Sequence, residues 1–373
     1  LLLLPALPGG SGAAGESAAA AGEEADAFQV EALEKRMEEA LSRIAGVGEV
    51  RVVLTLQSSP RRILAQDTQS TVEADSTDAA LTTVVLSGGG TEETVTEPVE
   101  ETPLQAESHT DNGIPARTLV PKDPSGYTVC GRVYISNSTD YTLDPQELTE
   151  TFDAEMSGEG PQILILHSHG SEGYTSPAGE EVVWSGNLRT TDSRYNVVGV
   201  GDAMAEVFSA AGISVLHDRT LYDYPSYNEA YDRSLAAIQS YLAQYPSIRF
   251  ILDVHRDAIE DADGNQYKVV STIDGVGTSA QMTLVVGSDG GGLSHPNWKE
   301  NLKLAVALQD TILQQYPTLM RPVLLRNSRY NQHATTGSLL VEVGAAGNSP
   351  DEAELAGRLF AQKMVEVLEG RSK

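Results

Sequence analysis

Two histidines and a glutamate, His167, His169 and Glu172, fall within six residues directly after the apolar run Ile163-Leu164-Ile165-Leu166. Imidazole and carboxylate together suit zinc, and a zinc site open to substrate takes three protein ligands and keeps one position for water. Four consecutive apolar residues read as a buried strand, and in open α/β sheets the ends of such strands face the ligand crevice. Two further runs deliver polar groups in the same way. Phe250-Ile251-Leu252-Asp253-Val254 ends in His255-Arg256-Asp257, and Leu339-Leu340-Val341 carries Glu342 among apolar neighbours. A carboxylate is costly to bury alone, which predicts that Glu342 faces a cleft. Each residue has a bland alternative: a polar strand end, a core histidine, an edge-strand charge. Those alternatives lose weight when His169 and His255 end strands of one sheet.

Other residues have less definite parts. His167 lies two positions before His169, hence on the same side of a continuing strand. It is a candidate substrate contact or support for the ligands, against a structural hydrogen bond. Any amide hydrolysis needs a donor near the carbonyl oxygen as that atom gains charge. Arg256, beside His255, and His333 are the candidates; the alternatives are an Arg256 paired with Asp253 or Asp257 and a His333 on a surface loop. Tyr222, Tyr224, Tyr227 and Trp184 sit in loops on the side where the strands end, as candidate walls of a glycan groove or as shielding rings. His217 and His295 read as structural.

These residues are carried by a regular alternation of elements. Strands are predicted at Val129 to Ile135, Ile163 to Leu166, Ile213 to Leu216, Arg249 to Val254, Gln281 to Val286, Val323 to Arg326 and Ser338 to Val343. Helices are predicted in the short stretch after Asp144-Pro145, from Val197 to Ala211, Asn228 to Tyr245, Asn297 to Gln315 and Asp351 to Glu369. Strands alternating with helices of this length predict a three-layer α/β domain, a mostly parallel sheet with helices on both faces. A small α+β module is predicted ahead of it: Val30, Leu33, Met37, Leu41 and Ile44 recur at helical spacing, Gly46 and Gly48 stop that helix, and Glu49 to Gln57 alternates as a half-buried strand.

Composition narrows the classes. The 373 residues have room for two domains, and 40% hydrophobic content supports a sizeable core. A formal charge of -28 excludes nucleic acid as a partner, because phosphate contacts need clustered Lys and Arg. One cysteine, Cys130, rules out an internal disulfide and a cysteine-built zinc site, so a metal must rest on His, Asp and Glu. Four domains of composition follow: 1–27, a tail or anchor remnant opening on Leu1 to Leu4; 28–86, the helix-strand module; 87–124, an acidic Gly/Thr/Glu/Pro-rich linker; and 125–373, the α/β domain. Four leucines are too few to cross a bilayer, which takes roughly 20 apolar residues.

Two stretches resemble known families. Leu33-Glu34-Lys35-Arg36 through Gly46-Val47-Gly48-Glu49-Val50-Arg51-Val52, followed by Ala65-Gln66-Asp67-Thr68, resembles stage III sporulation protein AG. That resemblance implies a membrane-anchored chain and sporulation ring proteins as partners of the module. From Tyr127 to the end, a set of motifs in order resembles stage II sporulation protein P: His167-Ser168-His169-Gly170-Ser171-Glu172-Gly173-Tyr174, Arg189-Thr190-Thr191-Asp192, Asp223-Tyr224-Pro225-Ser226-Tyr227-Asn228, Asp253-Val254-His255-Arg256-Asp257-Ala258, His295-Pro296-Asn297-Trp298-Lys299-Glu300-Asn301, Asn331-Gln332-His333 and Glu342-Val343-Gly344.

This second resemblance implies a zinc-dependent N-acetylmuramoyl-L-alanine amidase, with endopeptidase activity on peptidoglycan, that works with stage II sporulation proteins D and M during engulfment. The implied location is extracytoplasmic and membrane-associated, between the mother cell and forespore membranes. It implies His169 and His255 as zinc ligands and Glu342 as the catalytic glutamate. For the third ligand, Asp192 stands ahead of a helix where the cell-wall amidases carry a glutamate. Glu172 is the alternative, in a pairing that resembles zinc carboxypeptidases and would fit a zinc peptidase acting on stem-peptide cross-links. A non-catalytic sporulation interaction protein is the remaining reading. Tyr224 is the tyrosine expected to touch substrate.

Overall fold

In a computed structural model the described residues are 62–70, 79–87, 102–104 and 113–371, apart from 157–158, 178–179, 181, 186–187 and 262–263. The expected tail at 1–27 and the expected helix and strand between Phe28 and Gln57 lie outside the described residues. The chain divides into two compact units, Leu1–Thr91 and Glu92–Lys373. In the first, β1 (Arg62–Ser70) and β2 (Ala79–Ser87) pair antiparallel, with Arg62 opposite Ser87 and Ser70 opposite Ala79.

The second unit begins with strands β3 (Thr102–Leu104), β4 (Ala116–Val120), β5 (Thr128–Cys130) and β6 (Val133–Asn137) and a short helix α1 (Pro145–Leu148). Then come β7 (Ile163–Leu166), α2 (Val197–Ala210), β8 (Val215–His217), α3 (Ala230–Gln244), β9 (Phe250–Asp257), β10 (Lys268–Ile273), β11 (Gly277–Ala280) and β12 (Met282–Gly287). Helix α4 (Trp298–Gln315), β13 (Val323–Arg326), a 3-10 turn at Gln332–Ala334, β14 (Gly337–Ala345) and α5 (Pro350–Arg371) complete it. The main sheet has eight strands in the order β5-β6-β13-β12-β14-β9-β7-β8. Its neighbours are parallel except for β5 with β6 and β12 with β14. The strands β7, β8, β9 and β14 therefore run one way, and their C-terminal ends share one edge of the sheet.

Alternation sorts the side chains of these strands. Ile163 and Ile165 of β7 and Phe250, Leu252 and Val254 of β9 join one core with Val200, Met204 and Phe208 of α2, Leu302 and Leu308 of α4, and Phe360 and Met364 of α5. Leu164, Leu166 and Ile251 face the other way and meet Ile238, Ala237 and Leu242 of α3. Helices thus cover both faces, which is why β7 reads as an uninterrupted apolar run. Local signals fix the helix starts. Asn196 accepts a hydrogen bond from the N–H of Val198 at the head of α2, and Asp144 does the same for Gln146 ahead of Pro145 in α1.

The architecture is the expected mixed α/β, with three corrections. The stretch 87–124 is not wholly linker, because β4 within it pairs in parallel with β10 and antiparallel with β3, and β10 pairs with β11, in a second sheet of four strands. The expected strand Val129 to Ile135 is two antiparallel strands, since Gly131 turns the chain with a φ of +63°. Strand β9 extends past Val254 to Asp257, so His255 and Arg256 lie within a strand rather than after one. Among the described residues no helix is long and apolar enough to cross a membrane.

Candidate metal centre

The turn after β7 and the last residues of β9 bring three side chains together. One ligand atom from each of His169, Glu172 and His255 lies within 4.8 Å of the others, and all three residues are buried. Glu172 sits between the rings, with Oε1 3.5 Å from His169 Nδ1 and Oε2 3.4 Å from His255 Nδ1. The rings of His169 and His255 are 5.0 Å apart and nearly perpendicular. Burial alone would push the Glu172 carboxyl up, yet the two histidines hold it well below the ordinary range. Burial likewise favours a neutral His255, but Asp253 and Glu172 outweigh it and hold the ring well above the usual imidazole value. Glu172 therefore brings to the trio a negative charge that favours a cation beside it, a proton on His255 or a metal ion. Two imidazoles and one carboxylate are the donor set of an open zinc site, so the residues present fit that metal.

Support comes from directly behind. Asp253, two residues before His255 and on the same face, has Oδ1 2.9 Å from His255 Nε2. It also accepts from the Ser168 N–H at 2.8 Å and from Ser168 Oγ at 2.6 Å. One carboxylate thus fixes the His255 ring and ties β9 to the turn that carries His169. Arg189 braces the other side: it pairs with Asp223, reaches Glu172 Oε1 at 3.5 Å, and lies 4.6 Å over the ring of Tyr227, which itself stacks 4.7 Å from His169. Asp223 accepts from the Ser171 N–H at 3.0 Å. Tyr231 of α3 stands 5.1 Å from His169 and 6.4 Å from His255. Asp253, Arg189 and Tyr231 are not among the site residues that the sequence singles out. The period of two along β9 was the signal for Asp253; nothing local marks the other two.

Glu342 is the register neighbour of His255 on the adjacent parallel strand, so both point to the same face. Its Oε2 is buried and makes no hydrogen bond among the described residues. Burial first, then the charges of Asp257 and Glu172, push its carboxyl up to about 8. Immediately after it the ladder shifts register, and Gly344 turns with a φ of +65°, where a Cβ would lie 2.9 Å from Asn348 Oδ1. Bulges of this kind re-aim side chains next to sites.

The remaining candidates are placed elsewhere. Asp192 is partly exposed and committed to Arg194, with Oδ2 2.6 Å from Nη2, so Glu172 is the carboxylate grouped with the histidines and Asp192 is not. Arg256 follows His255 on a strand and faces the opposite side. Its guanidinium donates to the carbonyls of Gly173 and Leu188, at 3.0 and 3.4 Å, and its backbone N–H donates to Glu172 Oε2 at 3.2 Å. It anchors the Glu172 loop rather than offering a charge to a carbonyl oxygen. His167 is fully buried on the α2 side, 2.9 Å from the Val254 carbonyl and 2.8 Å from His217 Nε2, and burial with that neighbour lowers its pKa to about 3. It is a structural residue, because the strand ends at Leu166 and the turn reorients His169. His333 lies in the 3-10 turn before β14, at the far end of the strand from Glu342, beside His295. Tyr224 is 60% exposed, and it is Tyr227 rather than Tyr224 that packs on His169.

The chain is similar to several known proteins. Residues 61–365 match the family model of stage II sporulation protein P, a span that begins inside the stretch resembling stage III sporulation protein AG. Stage II sporulation protein P of Bacillus subtilis (strain 168) is 27% identical over 226 residues, which are 57% of this chain and 52% of that protein. The chain thus spans about half the length of this curated relative. Among solved structures, the N-acetylmuramoyl-L-alanine amidase of Clostridium difficile 630 is similar at 16% identity and a TM-score of 0.35, covering 57% of this chain and 97% of that one. The amidase AmiC2 of Nostoc punctiforme is similar at 15% identity and a TM-score of 0.31, covering 57% and 94%.

Proposed function

The chain belongs to the stage II sporulation protein P family, and from that premise we propose that it is a zinc-dependent peptidoglycan hydrolase that cuts the amide between N-acetylmuramic acid and the L-alanine of the stem peptide. The observation that carries this reading is the buried trio of His169, Glu172 and His255 with Glu342 beside it on the next strand. Zinc held by the trio would polarise the amide carbonyl and acidify a water. The protein's own groups do the rest. Asp253 fixes the His255 ring, and Arg189 and the Arg256 N–H fix Glu172. Glu342, in its ionised form, takes a proton from the attacking water and returns it to the leaving amine. Tyr227 and Tyr231 line the approach and restrict water.

A second reading is a zinc peptidase that cuts stem-peptide cross-links; the grouping of Glu172, three residues after His169, favours it through its likeness to zinc carboxypeptidases. Both readings place the work outside the cytoplasm, where peptidoglycan lies, in engulfment and with stage II sporulation proteins D and M as partners. Membrane association and ring proteins as partners of the N-terminal module belong to the same proposal.

One experiment separates the readings. Purified peptidoglycan is digested with the full chain, with and without a zinc chelator, and the released fragments are read by mass spectrometry. Chelator-sensitive release of stem peptides with a free N-terminal L-alanine supports the amidase. Cut cross-links would move the assignment to the peptidase, and no release at any zinc concentration would leave a non-catalytic interaction protein.

A further inference from the structure

Next to Glu342 the sheet carries one more polar side chain that none of the roles above uses. Thr283 of β12 is the direct neighbour of Glu342 across the β12–β14 ladder, as His255 is across the β14–β9 ladder. The three side chains therefore form one row across three adjacent strands, all on the face that holds the metal centre. The next row on that face is apolar: Val285, Leu324 and Leu340, with Tyr330 packed against them. A valine at 283 would continue this pattern and suit a strand equally well.

Thr283 is 1% exposed, and its Oγ1 makes no hydrogen bond among the described residues. Nor does Glu342 Oε2. Buried polar groups are nearly always paired, and one left alone costs free energy. Here a hydroxyl that has a proton to donate and a carboxyl oxygen that accepts one stand on neighbouring strands, both without a partner among the described residues. Directly opposed residues of an antiparallel pair have their Cβ atoms about 4.5–5.5 Å apart. A rotation of the two side chains, or a single buried water, closes that gap.

We propose that Thr283 is the positioning residue of Glu342: its hydroxyl donates to Oε2, directly or through one water, and leaves Oε1 facing the attacking water. The hydroxyl holds the carboxylate in one orientation during the proton transfers and touches no substrate atom, since Thr283, beside Glu342 in the sheet, is only 1% exposed. Its loss therefore acts on turnover and not on substrate binding. The inference rests on the reading of Glu342 as the general base.

The test uses the full chain, loaded with zinc, in wild-type, Thr283→Val and Thr283→Ser forms, acting on soluble peptidoglycan fragments. Thr283→Val keeps the shape and removes the hydroxyl. We expect its kcat to fall about 10- to 100-fold, the range for losing a hydrogen bond to a charged group. KM and bound zinc stay unchanged, and Thr283→Ser recovers most of the loss. Full kcat in Thr283→Val, loss of zinc together with activity, or no recovery in Thr283→Ser each overturns the proposal. A second measurement is independent of catalysis. Thermal unfolding of Thr283→Val, Glu342→Ala and the double variant gives non-additive Tm shifts if the two side chains interact, and additive shifts overturn the contact. A wild-type chain that releases nothing sinks the hydrolase reading, while this cycle still decides the fate of Thr283.

Discussion

At the scale of single residues, the site divides its carboxylates by environment. Glu172 is held ionised between two imidazoles, while Glu342, one strand away, is pushed up to about 8 by burial and by its acidic neighbours Asp257 and Glu172. That separation suits a ligand and a base, and it makes two predictions. The first concerns metal: Glu172→Ala loses bound zinc as measured by elemental analysis, and Asp192→Ala, whose carboxylate serves Arg194, retains it. Retention in the Glu172 variant would refute the trio. The second concerns pH. A carboxyl whose folded pKa is raised from 4.5 to about 8 favours the fold below 4.5, and that contribution is lost as pH rises through 8. In the presence of chelator, Glu342→Gln therefore unfolds at a higher temperature than the wild type at pH 8, by about 2 °C or more, and at the same temperature at pH 4. The same variant loses about 10²- to 10⁴-fold in hydrolysis with zinc bound. The grouping of His169 with His255 is legible in the sequence because each follows an apolar run, and Glu342 stands out because a carboxylate interrupts one. The choice between Glu172 and Asp192 is not legible there, since it depends on how a four-residue turn folds back, and adjacency to His255 in sequence hides that alternation along the strand turns Arg256 to the other face.

At the scale of elements, the metal centre depends on how closely α2 approaches β7 and β9. The buried pair His167 and His217 fills the space under α2, and Gly201 is the residue that makes room for it. A Cβ at Gly201 would run into His217 Nε2 and lie 2.7 Å from His167 Nε2. Gly201→Ala should therefore overpack this contact at a cost of about 1–3 kcal/mol, seen as a lowered midpoint in urea with an unchanged slope. An unchanged midpoint would mean that the helix has slack here. The central strands β7, β12 and β13 are legible because both their faces are buried, and the expected bounds of β13 match to the residue. The second sheet is not. Strand β4 lies in a stretch whose Thr, Glu and Pro content reads as linker, and its partner β10 stands 152 residues away, joined through Thr118 Oγ1 and the Val270 carbonyl. Composition measures local solvation, and nothing local records a pairing at that distance. Gln281 adds a second tie, accepting from the Leu119 N–H and donating to its carbonyl, at 2.7 and 2.9 Å.

For the whole molecule, the question is how far the site is coupled to the fold that carries it. The net charge of -28 disfavours compaction through self-repulsion, and the centre adds to it by setting the buried carboxylates of Glu172 and Asp253 on either side of His255. A divalent cation relieves it locally, and its ligands join the turn after β7 to the end of β9, two neighbouring strands of the main core. Zinc held by the trio would then be linked to unfolding of the unit Glu92–Lys373 and not of a loop alone. At free zinc one hundred times its dissociation constant, linkage adds about 2.7 kcal/mol, which raises Tm by roughly 5–10 °C for a unit of this size. Calorimetry of the full chain at rising zinc should show the high-temperature transition move upward with the logarithm of the metal concentration. Glu172→Ala should abolish that movement, and Asp192→Ala should leave it intact. A transition that ignores zinc in the wild type would mean that the trio does not bind the metal, whatever its donor set suggests.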